Sequence, residues 1–140
     1  GGRPVAAQKL IYLPDSLRPF NLNDDRAEWS WRHSAQTQNL VFFWQQGFGN
    51  DPYHAPALKG QPMSFNLGNL QVRLEHFYHY FRDTLQFSLP GSLCDRYKMM
   101  VMVNYSLDGT AYGGTYDDFI GALWVSPQPH TGHQAQRSGP

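Results

Sequence analysis

Two five-residue apolar runs, Leu40–Trp44 and Met99–Val103, flank a single helical hydrophobic period, and this arrangement restricts the fold more than any other feature of the chain. Both runs are rich in β-formers and short enough to be strands buried on both faces. Between them Leu67, Leu70, Leu74, Phe77, Phe81 and Leu85 recur at spacings of three and four residues, which predicts an amphipathic helix from about Leu67 to Gln86. Ser64 or Asn66 can cap its start, and Pro90 and Gly91 stop anything beyond its end. That register puts Leu74, Phe77 and Phe81 in the core and His76 and His79 in solvent. A helix between two apolar strands argues for a right-handed crossover between parallel neighbours. A third apolar segment, Ile120–Val125, should join the same sheet at or near an edge. The fold class expected is α+β, a small sheet backed by one long amphipathic helix.

The rest of the chain divides around this core. Residues 1–38 are polar and interrupted by Pro4, Pro14 and Pro19, so they read as an irregular N-terminal segment with a short extended stretch, Lys9 to Leu13. Residues 39–125 form the α/β core. Within it, residues 45–63 carry Gly47, Gly49, Pro52, Pro56, Gly60 and Pro62 and read as a long loop, either functional or wrapped over the surface. Gly109 to Asp118 reads as a Gly-rich loop. Residues 126–140 (SPQPHTGHQAQRSGP) hold one aliphatic side chain, Ala135, and are expected to be a disordered tail.

Charge and cysteine usage exclude several function classes. Eleven basic residues balance eleven acidic ones with no like-charged run, so the chain lacks the field a nucleic-acid backbone requires. No apolar run approaches the roughly 20 residues of a membrane span. Cys94 is the single cysteine, which excludes an internal disulfide and any cysteine-based zinc ribbon. With three Lys and two Glu against eight Arg and nine Asp, helices lack their best surface formers, and limited helix is expected.

Several groups were weighed as candidate chemistry. His76, His79 and Asp83 share the helix face opposite the apolar stripe and could touch one metal ion, but an exposed helix face offers no second shell to orient imidazoles. His130 and His133 form an HxxH pair, although at i, i+3, without a glutamate, and between Pro129 and Gly132. Asp117 and Asp118 beside Gly113 and Gly114 could offer carboxylates to calcium, or simply form a turn. Trp29, Trp31, Trp44 and Tyr53 are rings on which sugar faces could stack, and the Trp-Ser-Trp alternation puts Trp29 and Trp31 on one face of an extended segment, where they would cap the core.

The segments 29–34 (WSWRHS), 39–44 (NLVFFW), 47–52 (GFGNDP), 82–87 (RDTLQF), 97–100 (YKMM) and above all 116–127 (YDDFIGALWVSP) carry a resemblance over roughly residues 10–127. The chain resembles the N-terminal part of a bacterial family of secreted and surface proteins, a domain of unknown function often found beside carbohydrate-processing modules. In that family the segment similar to residues 121–127 is followed by an H-E-x-G-H helix with the look of a zincin metallopeptidase. The resemblance implies a zincin-like N-terminal subdomain, incomplete in this chain, and a secreted or cell-surface location. It implies that Ile120–Val125 is the edge strand of the cleft, where Gly121, Ala122, Leu123 and Trp124 would bind a peptide or glycoprotein substrate by strand addition. Zinc would be the cofactor of the complete family domain, polarising the scissile carbonyl and activating water. Here residues 129–136 read PHTGHQAQ instead of the family motif, leaving His130 and His133 as the metal candidates and no catalytic residue. The chain by itself is therefore expected to be inactive and to hold no metal, as a fragment or a frame-shifted copy. The alternative function is a carbohydrate-binding or surface-adhesion module.

Overall fold

The computed structural model describes residues 8–85, 96–109, 111–117 and 120–127, with backbone only at positions 81 and 83–85. A five-stranded mixed sheet carries the fold. Its strands are β1 (Ser34–Gln36), β2 (Leu40–Trp44), β3 (Met99–Val103), β4 (Ala111–Tyr116) and β5 (Ile120–Val125), and one helix, α1 (Leu67–Leu85), stands between β2 and β3. Across the sheet the order is β1-β2-β3-β5-β4. β2 pairs with β3 in parallel, from Leu40 opposite Met99 to Trp44 opposite Val103, and β3 pairs in parallel with β5. The two outer strands, β1 and β4, run antiparallel to their neighbours.

The central strands are apolar at every position because both faces of the sheet are covered. On one face Leu40, Phe42, Trp44, Val101 and Val103 pack with Phe48, Met63 and Tyr78, and Leu67, Leu70 and Leu74 lie against them. On the other, Val41, Phe43, Met100, Met102, Ile120 and Ala122 pack with Leu17, Leu22 and Trp29. The segment before β1 thus forms the third layer, opposite the helix. It is also stitched to the sheet by backbone: Leu10 N donates to Arg96 O and Lys98 N to Leu10 O, both at 2.8 Å.

Three expectations are corrected. Residues 111–116 are strand β4, not loop. Consequently β5 lies near the edge, as its pattern suggests, but is not the edge strand that the resemblance implies, since it is paired on both sides and β4 forms the rim among the described residues. Phe77 is exposed and Tyr78 takes its place in the core, although Leu67, Leu70 and Leu74 of the expected stripe lie against the sheet. Glu75 faces the β1–β2 connection, on the same side of α1 as Tyr78 three residues on. Trp29 and Trp44 are buried, at 9% and 4% exposure, as a ring capping the core and the end of a buried strand should be, so neither is open to a ligand. The loop of residues 45–63 lends Phe48, Pro52 and Met63 to the core. Gln86, Cys94, Asp118, the side chain of Asp83, and the expected tail from residue 128 onward, with His130 and His133, lie outside the described residues.

Candidate functional site: the rim strand and its aromatic face

β4 and β5 are joined by a turn containing Asp117, whose φ of 50° lies in the left-handed region that Asp tolerates better than most residues. The Asp117 carboxylate accepts a 2.9 Å hydrogen bond from the Tyr12 hydroxyl, which ties the turn to the layer before β1. That bond to a carboxylate, more than burial, raises the Tyr12 pKa above its ordinary value. Asp117 therefore has a structural partner and does not point to calcium.

The register pairs Tyr112 with Trp124, Gly114 with Ala122 and Tyr116 with Ile120, all on the face that carries the N-terminal layer. Tyr112 stacks on Trp124 with ring centroids 5.1 Å apart and planes 16° from parallel. Tyr116 meets the same indole edge-on at 5.1 Å and accepts its Nε1–H at 3.1 Å. Burial pushes the Tyr116 phenol pKa up. On the opposite face Ala111, Gly113 and Thr115 are small and exposed. Gly121, Ala122, Leu123 and Trp124 thus lie one strand in from the rim, and among the described residues no strand pairs with the outer side of β4.

Two polar features escaped sequence reasoning. At the amino ends of β2 and β3, Lys98 is 1% exposed, and its Nζ donates to Gln36 Oε1 at 2.9 Å and Thr37 O at 2.7 Å. Burial lowers its pKa, partly offset by Glu75. Beside it the Glu75 carboxylate accepts from Thr37 Oγ1 at 2.6 Å and from Asn39 N and Nδ2, each at 2.8 Å. His79 lies 3.6 Å from Glu75, while His76 is exposed on the far side of the helix. At the carboxyl ends of β2 and β3, an open hollow of about 320 Å³ is lined by Arg26, Glu28, Gln45, Gln46, Gly47 and Tyr105. Gln45 bridges it, donating to Glu28 and accepting from Tyr105 N.

A third polar group, Ser30, His33 and Asn50, is spaced like a nucleophile with its base. Ser30 Oγ lies 3.1 Å from His33 Nδ1, and Asn50 Oδ1 lies 2.8 Å from Nε2. Ser30 is 0% and His33 2% exposed, so no substrate reaches them and the group holds the loop after β2 in place. Among the described residues no three of His, Cys, Asp and Glu are grouped closely enough to hold a metal ion. They do not fit a zinc centre. Among the same residues no helix is long and apolar enough to cross a membrane.

The chain matches the model of a family of unknown function, DUF6055, over residues 3–136. The chain belongs to that family. No curated protein and no solved structure matches it.

Proposed function

We propose that this DUF6055 chain is the peptide-docking part of a secreted or cell-surface metallopeptidase-like domain, and that an extended peptide adds to the sheet along β4. The outer edge of β4 carries this reading. Sheet edges are ordinarily protected from pairing by lysine, proline, a bulge or a covering element. Ala111–Tyr116 contains no charged residue and no proline, and five of its six positions are exposed. In an antiparallel strand alternate residues turn both N–H and C=O outward, so about three residues of β4 present a donor and acceptor with which no strand among the described residues pairs.

The element order supports the metallopeptidase-like part of the reading. A strand, a long helix on one face and then further strands ending in Ile120–Val125 is the order expected before a zinc-binding helix, although that expectation put the last strand at the edge. Relative to the expectation from sequence, the docking strand moves from Gly121–Trp124 to its outer neighbour, and Trp124 remains as a side-chain contact. Zinc and a hydrolytic base belong, in this reading, to the complete family domain, and the described residues bind and orient substrate. The carbohydrate reading retains Trp31 and Tyr53, which are 37% and 59% exposed, after losing Trp29 and Trp44 to the core.

Fluorescence anisotropy with a labelled ten-residue β-forming peptide tests the proposal, with the same peptide N-methylated at alternate residues as control. Strand addition predicts binding by the first and a loss of about tenfold or more in the second, since two or three backbone hydrogen bonds disappear at about 0.5–1.5 kcal/mol each. Equal binding of both, or binding of a xylo- or cello-oligosaccharide with neither peptide bound, overturns it.

A further inference from the structure

Directly opposed residues on neighbouring strands place their side chains about 4.5–5.5 Å apart, and Tyr112 and Trp124 are such a pair. What holds the indole is the glycine beside Tyr112 on the same face. A Cβ at Gly114 would come within 3.1 Å of Trp124 Cζ3, so the missing side chain is what lets the indole lean across β4 to Tyr116. There its Nε1–H is taken by the Tyr116 hydroxyl. The indole is fixed from one side by that bond and from the other by the Tyr112 ring stacked on it. Tyr112 itself is 55% exposed, at the rim, with the stack behind it.

The three rings line up along β4, with the indole over Gly114 between Tyr112 and Tyr116, and the Tyr112 ring keeps an exposed side at the rim. A strand added at the rim lies about 4.7–4.9 Å away, so the side chain directly opposite Tyr112 would come within reach of its exposed ring. Resting on the strand-addition reading above, we infer that Tyr112, backed by the immobilised Trp124, is a side-chain subsite that selects an aromatic residue at that one position of the docked peptide. The remainder of β4 selects little. Gly114 offers no side chain, and Ala111, Gly113 and Thr115 on the other face leave room for any residue. The ligand class is therefore an uncharged or weakly charged extended peptide with one aromatic residue among β-formers.

The test uses the full chain and two labelled ten-residue peptides identical except for a central Phe or Val. Aromatic pairing of this kind predicts that the Phe peptide binds about 3- to 10-fold more tightly. Tyr112→Val, which keeps a β-former at the rim, should remove that preference and leave the Val peptide within about twofold of its original affinity. Tyr112→Phe should retain the preference. If neither peptide binds, the docking reading fails and this subsite with it. If both bind equally to the unaltered chain, the subsite alone is wrong and strand addition stands. Displacement of the Phe peptide by a methyl glycoside would make the stack a sugar platform, and sedimentation showing a dimer that Tyr112→Val dissociates would make the occupant a second copy of the chain. Either result overturns the inference.

Discussion

Glu75 is a polar side chain held by partners that apolar spacing does not reveal. Burial alone would raise its pKa, but hydrogen bonds from Thr37 and Asn39, with His79 nearby, outweigh that and hold it below the ordinary carboxylate value. A carboxylate whose folded pKa is depressed stabilises fully above the unfolded value of about 4.3, and the contribution is lost as pH falls through the folded one. Glu75→Gln should therefore lower stability by about 1–2 kcal/mol at pH 7, measured by urea unfolding, with the gap to the parent chain closing in acid. A gap as wide in acid as at neutrality would show that the charge is not what Thr37 and Asn39 hold. None of this was legible in sequence, where Glu75 stands on no apolar stripe and Lys98 only precedes the apolar run Met99–Val103. Lys98 is buried and Glu75 half-buried, and their partners come from the end of β1 and the β1–β2 connection, far away along the chain.

At the scale of elements, strands β2, β3 and β5 and the existence of α1 were legible because their patterns are strong and local. The face of α1 was legible at Leu67, Leu70 and Leu74, which lie against the sheet, but not one turn further on. Phe77 and Tyr78 are adjacent aromatics, and spacing alone favours Phe77, while the inward pull on Glu75 and the 2.8 Å bond from Lys9 Nζ to the Tyr78 hydroxyl favour Tyr78. Thermal or urea unfolding should separate them: Tyr78→Ala should cost about 3–5 kcal/mol, the range for truncating a buried ring, and Phe77→Ala clearly less. The reverse order would restore the register read from the sequence. β4 was missed for a different reason. Gly113 and Gly114 are turn signals in isolation, and they sit in a strand because β5 supplies the pairing and because the indole of Trp124 occupies the space a side chain at Gly114 would need. The same omission moved the candidate docking strand one position inward, to Gly121–Trp124.

At the scale of the whole molecule, the sheet is covered on both faces while no described strand pairs with its β4 rim, so the proposed docking and any edge-to-edge association would use the same strand. Thr115→Lys places a charge on that rim at an exposed position. It should leave folding stability within about 0.5 kcal/mol, as surface substitutions usually do, while weakening peptide binding and raising the concentration at which the chain self-associates, read by anisotropy and light scattering. Loss of binding with unchanged self-association would mean that the two do not share the edge. The parallel pairing of β2 with β3 has a consequence of another kind, in time. Leu40 must find Met99, with the whole of α1 between them, whereas β4 and β5 are joined by a tight turn. Because distant pairings close slowly, a refolding chain is expected to form the rim hairpin before the runs Leu40–Trp44 and Met99–Val103 are covered. Yield on dilution from denaturant should consequently fall steeply with protein concentration, and a ribosome releases the second of those runs only after α1 has been made, which gives the helix the chance to shield the first while it waits.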